Sequence, residues 1–423
     1  MTLLIVVLCL LVLLFSGLPV AFSLAGLGTL MLMFKGLPVI MVAQNLHGAL
    51  DNFILLSVPL FLLMSNILLK GGVGRDLFDA VQSWVGHWPA GVGIAALLSC
   101  GIFSAISGSS VATAATVGTV AIPEMTRRGY SRSFTLGLLA AGGTLGILIP
   151  PSIPLIVYGV ITEESIGKLF LAGIGPGLLL LGLFSAYAIF YSVFTSAHTP
   201  SPRVSWAERR TATIRAMPSM FLGATMIVGI YSGAFTPTEA SAVGAVLALV
   251  IVIYPLRTFT WSLFLEAVRK TVATTVVLFL VVIGAKIFGK AVTLYQVPAQ
   301  VSQLVDTHVS SEWMFLLIVA AILLFIGLFL ESLSMLLIMV PVLLPTVLGL
   351  QIDVIWFGIF FVILIEIALI TPPVGLNLFV IQAVAKTKLA TVVRGVAPLI
   401  FLMLLSVLLI YLFPAIVTFI PSL

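Results

Sequence analysis

The chain has 423 residues, of which 61% are hydrophobic and only 8% charged, with a formal net charge of +5. A soluble domain carries about 25% charged residues, so a soluble enzyme or binding domain is excluded. The cations lie in short loops, where they set membrane orientation, so the positive charge does not point to nucleic acid.

The apolar residues gather into runs of roughly 17–25, the length that crosses a hydrocarbon core of about 30 Å. In chain order the predicted spans are 2–16, 18–34, 52–70, 133–160, 168–197, 216–234, 237–255, 271–292, 354–382 and 396–420. The first lacks a basic leading region and a small-residue cleavage site, so it reads as a retained helix rather than a signal peptide. Residues 73–88 place Arg75, Asp76, Asp79 and His87 among Leu77, Phe78, Val81 and Trp84. That spacing suits an interfacial helix, or equally a frayed end of the preceding span. Two stretches, about 88–126 and 312–348, are apolar but interrupted by small and polar residues. Each reads as a re-entrant hairpin; two short full spans apiece is the alternative. The fold class is therefore an all-α polytopic membrane protein.

With the N-terminus outside, only Lys35, Lys168, Lys286 and Lys290 of the 19 basic residues fall outside the inner loops. This bias is the positive-inside rule at work and predicts periplasmic N- and C-termini. Cys9 and Cys100 both lie within apolar stretches, which argues against a disulfide or cysteine–metal framework. The four histidines are scattered.

The chain repeats itself. Pro123 pairs with Pro345, Pro150 with Pro372, Pro151 with Pro373, Pro176 with Pro398 and Gly173 with Gly395, all 222 residues apart. Pro19 and Gly26 match Pro237 and Gly244 at a slightly shorter offset. Residues 1–197 hold an odd number of predicted crossings, so the second copy, 216–423, is expected upside down relative to the first. The polar segment 198–215 is expected to link them in the cytoplasm. Inverted repeats with broken helices mark transporters, with sites where the copies meet.

Four segments could carry an ion or a substrate. The first tip is Ser107-Gly108-Ser109-Ser110, followed by Thr113. Oxygen ligands of this kind suit hard cations, although small residues also serve helix packing. The first break runs from Gly146 through Pro150, Pro151 and Ser152. Proline has no N–H to donate, so the carbonyls of Gly146 and Ile147 should be freed, which is tolerated at membrane depth only inside protein or beside a cavity. A simple kink would need one proline, not three in five residues. The mate of this break is Thr371-Pro372-Pro373-Val374-Gly375-Leu376-Asn377, which should free the carbonyls of Ala368 and Leu369 and adds Thr371, Gly375 and Asn377. The second tip is Glu331-Ser332-Leu333-Ser334. Glu331 and Glu366 are intramembrane acids and so functional candidates; an ion pair, for example with Lys286, is the plainer alternative. Two tips and two breaks suggest two cation sites.

No Walker A loop, zinc-binding His-Glu-x-x-His or Gly-x-Ser-x-Gly elbow occurs in the chain, so ATP hydrolysis and these hydrolase chemistries are not expected. An uncoupled channel would not need paired breaks.

These features together resemble the large membrane subunit of TRAP transporters (tripartite, ATP-independent, periplasmic-binding-protein-dependent). The resemblance spans essentially the whole chain. It is carried by residues 104–123 with the Ser107-Gly108-Ser109-Ser110 core, 146–158, Phe235-Thr236-Pro237-Thr238-Glu239-Ala240, and 370–377. It implies an elevator-type importer in the bacterial inner membrane, coupled to sodium and without any other cofactor. The hairpins and broken helices would move against a scaffold of the remaining spans, in contact with membrane lipid. It further implies a small four-span membrane subunit, here a separate polypeptide, and a periplasmic binding protein that delivers a small organic anion. A related carboxylate symporter that works without a binding protein is the second reading.

Overall fold

The computed structural model describes residues 2–195, 199, 201–308 and 311–422, which contain α-helices and no strand. In the first half the helices are α1 (Thr2–Phe15), α2 (Val20–Phe34), α3 (Ile40–Leu50), α4 (Ser57–Gly71), α5 (Val73–Val85), α6 (Gly91–Ser107), α7 (Ser110–Arg127), α8 (Arg132–Leu148), α9 (Ile153–Thr162) and α10 (Ile166–Thr195). In the second half they are α11 (Trp206–Tyr231), α12 (Pro237–Ile253), α13 (Trp261–Leu294), α14 (Val297–His308), α15 (Glu312–Ile326), α16 (Ser332–Gly349), α17 (Val354–Leu369), α18 (Leu376–Ala385), α19 (Leu389–Leu412) and α20 (Ala415–Thr418).

Local chemistry sets these boundaries. Thr236 and Glu239 form a reciprocal capping box that opens α12 with Pro237 in its first turn, and Ser205 with Glu208 does the same for α11. Side chains that satisfy the unpaired N–H groups fix where a helix starts. Because Ser205 caps it, α11 begins inside the segment read as a linker, so residues 206–215 are helical. Residues 198 and 200 of that segment lie outside the described residues.

The helix bounds recur along the chain. Adding 222 to α7 gives 332–349, the bounds of α16, and adding it to α8 gives 354–370, against 354–369 for α17. For α9 the sum is 375–384, against 376–385 for α18. Packing follows the same correspondence: α18 lies on α7, and α9 lies on α16. Each distal half-helix therefore packs on the second helix of the other half's interrupted apolar stretch.

Two sets of contacts are visible. Helices α2, α4, α11, α12 and α13 pack among themselves, and α6–α10 pack with α15–α20; α5 bridges α11 to α6 and α7, and α13 also meets α16 while α4 and α11 meet α6. Close approach is bought by small residues. A Cβ on Gly137 would lie 2.1 Å from the Gly395 carbonyl oxygen where α8 crosses α19, and one on Gly284 would lie 2.5 Å from the Ala21 carbonyl where α13 crosses α2. Small residues at helix crossings are how helices associate where lipid removes the hydrophobic drive.

Many large apolar side chains face outward, including Phe22, Phe34, Phe221 and Val228. An aqueous surface of this kind would aggregate; lipid tolerates it. Among the described residues, seven helical stretches are long and apolar enough to cross a membrane, and shorter apolar helices stand beside them. One of the seven is α16, so length alone does not separate a re-entrant arm from a crossing. At about 1.5 Å per residue, the 34 residues of α13 exceed the hydrocarbon core, so α13 tilts or projects from it.

The segment 73–88 is a helix of its own. Gly72 takes a positive φ of 87°, which ends α4, and α5 then buries Leu77 and Phe78 against its neighbours. The sequence reading missed α3 and α14, both short and mixed in polarity, and it placed the start of α13 ten residues late.

Candidate functional site

The first hairpin turns at Gly108, whose φ of +60° lies in the left-handed region that glycine adopts without a steric cost. A Cβ there would lie 2.5 Å from the Pro151 carbonyl oxygen, and one on Gly146 would lie 2.7 Å from the Ser109 carbonyl oxygen. The first tip is thus pressed backbone to backbone onto the first break. Ser109 caps α7 by accepting from the Ala112 N–H, and Ser152 caps α9 by accepting from the Leu155 N–H. Ser107 and Thr113 are buried and share a hydrogen bond of 2.8 Å. Thr113 also donates to the Ser109 carbonyl at 2.9 Å. Pro150, Pro151 and Ser152 are all buried.

The second tip and break are more open. Glu331 and Pro373 are exposed, while Ser332, Thr371 and Pro372 are half-buried. Ser334 is buried and donates to Glu331 Oε1 at 3.3 Å. Gly327, at the end of α15, faces Ala368, so this tip also stands against its own break. Gly375 takes a φ of +49° and leads into α18.

The two breaks differ in their carbonyls. Pro150 and Pro151 supply no N–H to the Gly146 and Ile147 carbonyls, as expected. At the second break the expectation fails for Ala368: the chain tightens, and the Thr371 N–H donates to the Ala368 carbonyl at 3.1 Å. The Thr371 hydroxyl is also engaged, donating to the Ile367 carbonyl at 2.6 Å. At the matching position of the first break the Ile149 N–H keeps the Leu145 carbonyl, so the tightening belongs to the end of α17, which stops one residue earlier than its mate.

Between the halves lies a buried polar chain. Asn377 Nδ2 donates to Ser110 Oγ at 2.6 Å and to the Ala140 carbonyl at 3.4 Å, and Ser110 Oγ donates to Glu366 Oε2 at 3.0 Å. Glu366 and Asn377 are fully buried, and Ser110 is 1% exposed. Glu366 Oε1 and Asn377 Oδ1 have no hydrogen-bond partner. Among the described residues the ion pairs join Lys70 to Glu266 and Glu124 to Arg127 and Arg128. Neither Glu331 nor Glu366 is ion-paired, and Lys286 is exposed.

The structure therefore joins Asn377 of the second break directly to Ser110 of the first tip, and through Ser110 to Glu366. Sequence reasoning had singled out each of these residues without linking them. The Ala140 carbonyl was not found, because nothing in an alanine inside a helix signals that a neighbour's amide will reach it.

A protein-family model described as "Tripartite ATP-independent periplasmic transporter, DctM component" matches residues 7–416. The chain belongs to this family. It is 42% identical over 381 residues to the C4-dicarboxylate TRAP transporter large permease protein DctM of Pseudomonas aeruginosa, covering 90% of this chain and 87% of that one. It is 35% identical over 412 residues to the sialic acid TRAP transporter large permease protein SiaM of Vibrio cholerae, with 97% and 96% covered. It is 36% identical over 405 residues to the 2,3-diketo-L-gulonate TRAP transporter large permease protein YiaN of Escherichia coli, with 94% and 93% covered. Among solved structures, the YdaH transporter of Alcanivorax borkumensis superposes with a TM-score of 0.62 at 14% identity, covering 87% of this chain and 86% of that one. That likeness concerns the fold. The chain is thus a multi-pass TRAP large permease, of a family of transport proteins rather than enzymes.

Proposed function

We propose that this TRAP permease carries a small organic anion inward, coupled to sodium, by movement of its hairpins and broken helices against the other spans. The observation that carries the proposal is the pairing of two hairpin tips with two Pro-Pro breaks, at positions related by 222 residues. Two such breaks in inverted copies provide two gates around one site, which alternating access requires. The grouping of contacts into two helix sets, joined by α5 and by the contacts of α13 with α16 and of α4 and α11 with α6, supports a moving body and a scaffold.

In this reading sodium is held at the tips and breaks. Oxygen ligands come from the freed Gly146, Ile147 and Leu369 carbonyls and from hydroxyls such as Ser109 and Ser332; a hard cation takes ligands of this kind. The anion needs no basic residue, because α7, α9, α16 and α18 all begin at the tips and breaks and helix N-termini attract negative charge. The names of the relatives, for a C4-dicarboxylate, sialic acid and diketogulonate, support a C4-dicarboxylate or a related carboxylate, keto acid or sugar acid. The partners in this reading are a small four-span membrane subunit and a periplasmic binding protein, with both termini of this chain in the periplasm.

Uptake into proteoliposomes tests the proposal. It should require the small subunit, the binding protein and an inward sodium gradient, and should proceed without ATP. Undiminished uptake with sodium absent from both sides and a proton gradient present would sink the sodium assignment. Full uptake without a binding protein would favour a stand-alone symporter.

A further inference from the structure

Helix α11 carries two neighbouring arginines at the end of an outward apolar stripe. Arg210, Ile214, Met217, Phe221 and Val228 follow one another at helical spacing, and all are exposed. Positions so spaced share one face of a helix. At about 1.5 Å per residue the stretch from Arg210 to Val228 rises about 27 Å, close to the depth of a hydrocarbon core. Arg210 therefore stands at headgroup level, with Trp206 one turn before it and 69% exposed. Tryptophan at this depth marks the interface of a membrane with water.

Arg209 lies beside this stripe, on the face turned to α5. Trp84 of α5 meets three residues there. Its indole N–H donates to the Thr213 hydroxyl at 2.9 Å, and its ring meets the Trp206 ring edge-on, 5.6 Å between centroids. The Arg209 guanidinium lies over the same ring, 5.6 Å from its centroid. Thr213 in turn donates to the Arg209 carbonyl at 2.8 Å. The guanidinium is thus half-buried and held in place, yet it is given no anion. Among the described residues Arg209 is in no ion pair, and its buried Nε has no hydrogen-bond partner. The acids nearby are engaged elsewhere. Glu208 accepts from the Ser205 N–H and hydroxyl, and Asp76 and Asp79 of α5 feel the charge of Arg215. A guanidinium seated on an aromatic ring and left without a carboxylate is arranged for an incoming anion, above all a phosphate.

We propose that Arg209, Arg210, Trp84 and Trp206 form a binding site for one anionic phospholipid, with its phosphodiester at the two guanidinium groups and an acyl chain along Ile214, Met217 and Phe221. A free phosphate would use the arginines and leave the apolar stripe uncovered; a phospholipid uses both. The membrane leaflet is the one on the arginine side of α11, which is cytoplasmic in the orientation proposed above. The site lies where α5, the helix that bridges the two packing sets, rests on α11. The lipid headgroup therefore sits over that joint and ties it to the membrane surface.

The test is native mass spectrometry of the purified full-length permease, with its small subunit where the two purify as a complex. The protein is titrated at fixed ionic strength with phosphatidylglycerol, phosphatidylcholine or inorganic phosphate. No transport is measured, so the outcome is independent of the sodium and substrate reading. The wild type should bind its first phosphatidylglycerol more tightly than phosphatidylcholine, and excess inorganic phosphate should not displace it. Each cation at a headgroup contributes about a factor of five in affinity. The double variant Arg209→Gln/Arg210→Gln should therefore weaken phosphatidylglycerol binding about tenfold or more and leave phosphatidylcholine binding as it was. A control, Arg269→Gln/Lys270→Gln, removes two exposed cations of α13 and should bind as the wild type does. Equal affinity for the two lipids, an unchanged affinity in the α11 variant, an equal loss in the α13 control, or displacement by phosphate would each overturn the proposal. Should the double variant fail to insert, Arg210→Gln on the outward face decides alone: a loss of about fivefold supports the site, and an unchanged affinity overturns it.

Discussion

The first and second tip–break units occupy matching positions 222 residues apart, yet one is sealed and the other open. In the first, Gly108 and Gly146 press backbone on backbone, and Pro150, Pro151 and Ser152 are buried. In the second, Glu331 and Pro373 are exposed. The residues that would carry the Glu366 cluster in the first unit do not exist. Position 366 − 222 is Thr144, whose hydroxyl donates to the Ala141 carbonyl, and 377 − 222 is Leu155. A shared architecture has therefore been given different chemistry in its two copies: close packing in one, a buried acid and amide in the other.

Exchanging residues between the units is the direct way to break this comparison. The largest effect is expected from Gly108→Leu, which places in the first tip the residue found at 108 + 222, Leu330. A side chain at positive φ, against the Pro151 carbonyl, should cost about 3 kcal/mol or more. Folded yield and thermal stability in detergent should both fall sharply; the reverse change, Leu330→Gly, should be milder. Equal melting temperatures for Gly108→Leu and the wild type would show that the first tip is not held shut as described.

Next in size is Asn377→Leu, which copies Leu155. It leaves Ser110 without its amide donor and removes the cross-link to α8, for about 1–3 kcal/mol. A melting temperature within error of the wild type would mean that the amide contributes nothing to the closed form.

Gly146→Ala copies Ala368, its mate at 146 + 222. The methyl would meet the Ser109 carbonyl and the Ser110 N–H, so the tip must shift; helix propensity by itself would favour the change by about 1 kcal/mol. The expected outcome is a net loss of transport rate at normal expression, while Ala368→Gly retains most of it. A Gly146→Ala variant with a full uptake rate would remove the tight contact from the argument.

The smallest effect belongs to the caps. Ser109 caps α7 through its side chain, whereas Glu331 makes no such bond at the start of α16. Ser109→Ala should cost about 1 kcal/mol and raise the half-saturating sodium concentration if its hydroxyl is a ligand. Glu331→Ala should leave stability nearly unchanged. Uptake against sodium concentration, normalised to inserted protein, separates capping from ligation, since an unchanged sodium dependence in Ser109→Ala would leave only the cap.

The sequence by itself determined the membrane class, the two hairpin-like stretches, both helix breaks and the 222-residue period. Apolar run length is dictated by bilayer thickness, and a Pro-Pro pair cannot remain regular helix, so these features are written locally. The tertiary structure alone decided which polar groups meet. Ser110 and Asn377 are 267 residues apart, and their hydrogen bond depends on how α18 lies against α7, which no local pattern encodes. It also decided that the Ala368 carbonyl is not free, because the end of α17 tightens and the Thr371 N–H turns back to it. Glu366 was conspicuous as an acid among apolar residues. Its lack of a counter-ion became visible only when the lysine that could have paired with it proved to be exposed on α13. Charge and hydropathy act over neighbours in sequence, whereas desolvation and hydrogen-bond partners are properties of neighbours in space.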